Sequence, residues 1–74
     1  MTREEALAIA KKKKSKINMG AEHQNAFVFW FEDGIAKDGG ENPIVVMKEH
    51  GVTMNFVEYA ARHLTEEIER FSVS

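Results

Sequence analysis

Five lysines within six positions, Lys11, Lys12, Lys13, Lys14 and Lys16, are the most visible chemical signal in this 74-residue sequence. Such a run can hold phosphates or meet an acidic protein, in a contact that salt weakens. On a helix, however, four consecutive lysines spread round the whole circumference. The favoured reading is a solvated helix end whose lysine stems cover apolar surface, with an anion contact as the lesser one. His23, His50 and His63 lack the spacing of a metal site, the nearest helical pairing being His63 with Glu67. They read as surface histidines. Ser15, Ser72 and Ser74 have no G-x-S-x-G context, and the sequence has no cysteine to act as a nucleophile. Asp33, Asp38 and Glu41 fall in a glycine-containing stretch without the EF-hand order of ligands, which reads as a wide hairpin connection. No glycine pattern matches a phosphate loop or a dinucleotide fingerprint. Neither enzymatic activity, a metal nor a cofactor is expected, because so small a domain hardly encloses a pocket of about 300 Å³.

Composition sets the frame for these residues. Hydrophobic residues at 43% and charged residues at 30% describe an ordinary globular chain, and the length allows a single small α+β domain over 1–74. Zero cysteines remove disulfides as a supplement to a small core and fit a reducing compartment. No apolar run approaches a membrane span, and the N-terminus lacks the apolar region of a secretory signal, so a cytoplasmic location is expected. The net charge of −2 hides an asymmetry. Residues 1–20 hold six basic and two acidic side chains, whereas residues 21–74 hold four basic and ten acidic ones. That acidic bulk argues against a general nucleic-acid coat.

The elements that must position these groups follow from pattern. Thr2-Arg3-Glu4-Glu5 reads as a capping box opening a helix, with Ala6, Ile9, Ala10, Lys13 and Ile17 on one face and a stop at Asn18 to Gly20. Ala26 to Phe31, dense in aromatic and β-branched residues, reads as a strand. Ile44 to Met47 reads as a second, with Pro43 at its start. Glu49-His50-Gly51 reads as a tight turn with Gly51 at positive φ, leading to a short strand over Val52 to Met54. Asn55-Phe56-Val57-Glu58 is a second capping box, and Met54 with Tyr59 would staple it. The stripe Val57, Ala60, Ala61, Leu64, Ile68, Phe71 predicts a helix to about Phe71, with Glu58–Arg62 and Glu66–Arg70 as i, i+4 pairs and a flexible tail from about 72.

The expected fold is therefore α+β: helix, an antiparallel meander of two or three strands, helix. Both helices should pack on one sheet face through Leu7, Ile9, Ile17, Val57, Ala61, Leu64 and Ile68. Strand alternation puts Phe27, Phe29 and Phe31 on one face and Val28 and Trp30 on the other, with Ile44 and Val46 opposite Val45 and Met47. Both faces are apolar. The spare face, carrying Val28, Trp30, Val45 and Met47, meets a second copy of the chain, is covered by helices split across the sheet, or meets a foreign partner; a homodimer is the leading expectation.

The opening Thr2-Arg3-Glu4-Glu5-Ala6-Leu7, the aromatic strand Phe27 to Phe31, the run Pro43-Ile44-Val45-Val46-Met47-Lys48-Glu49-His50-Gly51 and the closing Phe56-Val57-Glu58-Tyr59 resemble the small cytoplasmic bacterial immunity-type proteins. Those open with a T-x-E-E-A-L helix and carry a P-I-V-V-x-K-x-x-G strand and turn. Here the loop between the strands is shorter. Short proteins of prophages and mobile elements share the style. The resemblance rests on fold-building residues, carries no binding residue across, and implies a small non-enzymatic binder of proteins. The acidic residues Asp33, Asp38, Glu41, Glu66, Glu67 and Glu69 would suit a basic partner. A nucleic-acid accessory protein using the Lys11–Lys16 helix end is the alternative, and a minor structural subunit a third.

Overall fold

The computed structural model describes residues 1–32 and 43–73. Its elements run α1 (Arg3–Lys13), β1 (Met19–His23), β2 (Ala26–Trp30), β3 (Ile44–Met47), β4 (Thr53–Asn55), α2 (Phe56–Arg62) and β5 (Glu67–Ser72). The five strands form one sheet in the order β4-β3-β2-β1-β5, every pair antiparallel. The class is α+β as expected, but the order is helix, four strands, helix, strand.

α1 starts where the capping box places it: Glu5 N–H donates to Thr2 Oγ1 at 3.1 Å and Thr2 N–H to Glu5 Oε1 at 3.0 Å. Ala6 and Ala10 are fully buried, and their small side chains let the helix lie close on Phe27, Phe29 and Val46. The helix ends at Lys13, sooner than the spacing predicts, because Lys14 is extended (φ −144°, ψ 108°). Ile17 still joins the same core, from extended chain rather than from the helix.

Two strands were not foreseen. β1, with the sequence Met-Gly-Ala-Glu-His, has no β-branched or aromatic residue, so its strand state comes from pairing with β2 on one side and β5 on the other. Gly20 is required there. A Cβ at this position would sit 2.6 Å from Phe71 Cε2 and 2.9 Å from Phe29 Cδ1, closer than real contacts allow. β5 occupies the stretch expected to be helical. α2 stops at Arg62, His63 caps it, and after Thr65 and Glu66 the chain turns extended and pairs with β1. The Glu66–Arg70 helix pair is replaced by one from Arg70 to Glu67 along the strand. The expected tail from residue 72 is also corrected: Ser72 ends β5, and Val73 N–H donates to Asn18 O at 2.9 Å.

The β3–β4 turn carries positive φ at both His50 and Gly51 (65° each) and is closed by Met47 N–H to Val52 O at 2.8 Å. Gly51 takes this conformation without strain, whereas His50 adopts a left-handed conformation that residues with a side chain take up uncommonly. The following strand lies one residue beyond its expected place.

The helices do not share a face. α1 covers Phe27, Phe29, Ile44 and Val46, whereas α2 lies on the opposite face over Ala26, Val28 and Val45 through the fully buried Tyr59. This splitting follows from the topology, since β5 lies at the edge opposite β4. The chain leaving β4 must cross the sheet to reach β1, and α2 with residues 63–66 makes that crossing. Val57, Leu64 and Ile68, expected in the core, are exposed. Among the described residues no helix is long and apolar enough to cross a membrane.

Candidate functional site

α2 has seven residues, too few to cover its whole sheet face. It buries Val28 and Val45 beneath Tyr59, while Trp30, Met47, Met54 and Phe56 remain half-buried round that centre. Beside it lies an open groove of about 340 Å³. Ala21 and Val28 make its floor, Trp30 and Phe56 are its aromatic walls, and His23, Glu67 and Arg70 bring polar groups to it.

Each polar group is held by the fold. Asn25, in the β1–β2 turn, anchors a network under the crossover. Its Oδ1 accepts from Tyr59 OH at 2.7 Å and from Thr65 Oγ1 at 2.9 Å, and its Nδ2 donates to His63 O at 2.8 Å. Thr65 N–H in turn donates to the Tyr59 oxygen at 3.3 Å. Buried polar atoms are thereby satisfied and residues 63–65 are fastened to the sheet. His23, 7% exposed, meets Tyr59 edge to face with ring centroids 5.6 Å apart. His23 Nδ1 lies 2.9 Å from Thr65 O. A carbonyl can only accept, so Nδ1 carries the hydrogen and the lone pair of the neutral ring is on Nε2.

On β5, Arg70 Nη2 donates to Glu67 Oε1 at 2.8 Å. That bond is the first cause of a lowered Glu67 carboxyl pKa and a raised Arg70 pKa. The guanidinium lies over Trp30, 5.2 Å from the ring centroid. Among the described residues no group of three His, Asp or Glu side chains could hold a metal ion.

The residues singled out from sequence fall in different places. Of the spare-face set, Val28 and Val45 are buried inside the chain, whereas Trp30 and Met47 are half-buried. Asp33, Asp38 and Glu41 lie outside the described residues. Glu66 is exposed, Glu67 is engaged by Arg70, and Glu69 pairs with Arg3. Arginines thus offset two of these three acids. Lys11, Lys12 and Lys16 are exposed round the end of α1. Lys13 and Lys14 border a larger recess of about 460 Å³ beside Ile44, Thr53 and Asn55, which has no aromatic wall. His50 and His63 are exposed, as expected, whereas His23 is a buried exception. Sequence reasoning found Val28 and Trp30 from strand alternation. It missed His23, Phe56, Glu67 and Arg70 as groove residues, because β1 and β5 bring three of them together.

No family model, curated protein or solved structure matches this chain.

Proposed function

We propose that this chain is a small non-enzymatic protein that binds another protein through the groove beside α2, in the manner of an immunity or inhibitor protein of bacterial or phage origin. One observation carries the reading: Trp30 is half-buried at the groove wall, with an arginine over its ring and apolar side chains around it. Tryptophan and arginine in a partly desolvated apolar setting dominate the binding energy of protein interfaces. A side chain that packs neatly inside its own chain would contribute stability alone; one left half-covered can also gain from a partner.

The resemblance to immunity-type proteins drawn from the sequence implies the same class of function, a small non-enzymatic binder of proteins. The basic-partner idea is narrowed, since of Glu66, Glu67 and Glu69 the last two are paired with arginines and Glu66 alone has no ion pair among the described residues. A second copy of the chain is the competing occupant.

The test compares affinity capture by the native protein and by Trp30→Ala, then measures binding with the purified captured protein. The expected result is one partner whose affinity falls at least tenfold in the variant, the scale of a hot-spot residue. Unchanged binding would remove the groove as the interface. A dimer in light scattering that Trp30→Ala dissociates would give the face to self-association.

A further inference from the structure

His23 is 7% exposed, yet half of its hydrogen-bonding capacity is unspent. Nδ1 is committed to Thr65 O. Nε2 has no hydrogen-bond partner among the described residues and is not sealed from the surface, since no enclosed side-chain nitrogen or oxygen there lacks a partner. The residue borders the groove whose walls are Trp30 and Phe56. A lone pair at the edge of an aromatic recess defines a complementary ligand: a flat apolar ring bearing a hydrogen-bond donor.

The geometry points to a tyrosine side chain of a protein partner as the occupant of this groove, its hydroxyl donating to His23 Nε2 and its ring against Trp30 and Phe56. The assignment rests on the reading of the groove as a protein-binding surface and names what it recognises. Arg70 sharpens the choice. One guanidinium nitrogen is engaged by Glu67, and the remaining N–H groups can donate to an oxygen beside Trp30. A phenol hydroxyl donates to His23 and accepts from Arg70 at once, whereas an indole N–H only donates and a phenylalanine ring does neither. Glu67 at the groove disfavours a carboxylate, and Arg70 disfavours an ammonium group.

The experiment uses the native chain, so that no variant has to fold. N-acetyl-tyrosinamide, N-acetyl-phenylalaninamide and N-acetyl-tryptophanamide are titrated to tens of millimolar while the His23 ring nitrogens and the Trp30 indole N–H are followed by NMR. The His23 hydrogen bond alone predicts about fivefold tighter binding of the tyrosine amide than of the phenylalanine amide, and the bond from Arg70 adds to it. A saturable shift of His23 Nε2 should occur with the tyrosine amide and not with the phenylalanine amide. Equal affinity for the tyrosine and phenylalanine amides, tightest binding of the tryptophan amide, or no saturable shift at His23 and Trp30 would each overturn the assignment. The titration is independent of the capture experiment. A partner lost with Trp30→Ala but no tyrosine preference leaves the protein-binding reading standing and removes only the tyrosine; a partner unaffected by Trp30→Ala removes the reading itself.

Discussion

Arg70 and Trp30 meet across an intervening strand. Their strands, β5 and β2, do not pair with each other, yet the guanidinium carbon lies 5.2 Å from the indole centroid. Ala21 makes the contact possible. It is the β1 residue opposite both Val28 and Arg70, and its single methyl leaves room for the arginine to reach over it. Replacing Arg70 with Ala should uncover the indole, shifting its fluorescence to the red and raising its quenching by acrylamide. The stability cost should be small, as for exposed cation–π pairs. An unchanged emission spectrum would show that Arg70 does not cover the ring.

Tyr59 should behave as the keystone of the crossover. In Tyr59→Phe the ring still fills the space over Val28 and Val45, but Asn25 loses its shortest hydrogen bond and Thr65 N–H loses its acceptor. The expected loss is about 1–3 kcal/mol, read as a lower urea midpoint at unchanged slope. Hydrogen exchange should quicken first at Thr65. Loss confined to the global transition, with Thr65 still protected, would show that the network does not hold the crossover.

Gly20→Ala tests how closely β5 is seated. The added methyl meets Phe71 and Phe29, so one ring must move. Overpacking of this kind costs about 1–3 kcal/mol. At roughly 4–8 °C per kcal/mol for a domain of this size, the loss is visible in a melting curve. Partial loss of β5 protection should accompany it. A melting temperature within one degree of the native protein would contradict the packing.

Acid should weaken the join between α1, β1 and the β3–β4 turn. Glu22 accepts from Lys48 Nζ at 2.8 Å and lies 3.7 Å from Arg3 Nη2. The Lys48 hydrogen bond is the first cause holding its carboxyl below the ordinary value of 4.5, with the charges of Lys48 and Arg3 adding to it against some desolvation. A depressed carboxyl contributes stability that is fully present above the ordinary value and lost as pH falls through the lower folded one. Glu22→Gln should therefore lower stability at neutral pH and flatten the decline below about pH 4.5. Parallel acid limbs in variant and native protein would exclude Glu22 as a contributor.

What the sequence disclosed depended on whether an element carries its own instructions. The Thr2–Glu5 capping box, the aromatic alternation of Phe27 to Trp30 and the turn at Gly51 are local, and each appears where the pattern puts it. β1 is not local. Met19 to His23 is extended because two neighbours pair with it, and nothing in its composition says so. β5 misled through a coincidence of period: Leu64, Ile68 and Phe71 fall at helical spacing, but the requirements of the β1 edge override that preference. The candidate site inherits this division. Val28 and Trp30 were visible from strand alternation, whereas His23, Glu67 and Arg70 join them only once β1 and β5 are in place.

β5 also forms one edge of the sheet, with β1 its one paired neighbour among the described residues. An edge strand invites another strand, and the nearest supply is an identical chain. Twofold pairing of β5 with its own copy must centre on one residue. Centred on Glu69 it sets two carboxylates face to face; centred on Arg70, two guanidiniums; centred on Ile68, Glu67 against Glu69 of the other copy. Each of these central registers juxtaposes like charges. The same residues that join β5 to α1 and to the Trp30 wall therefore disfavour twofold pairing of this edge with its own copy in those registers.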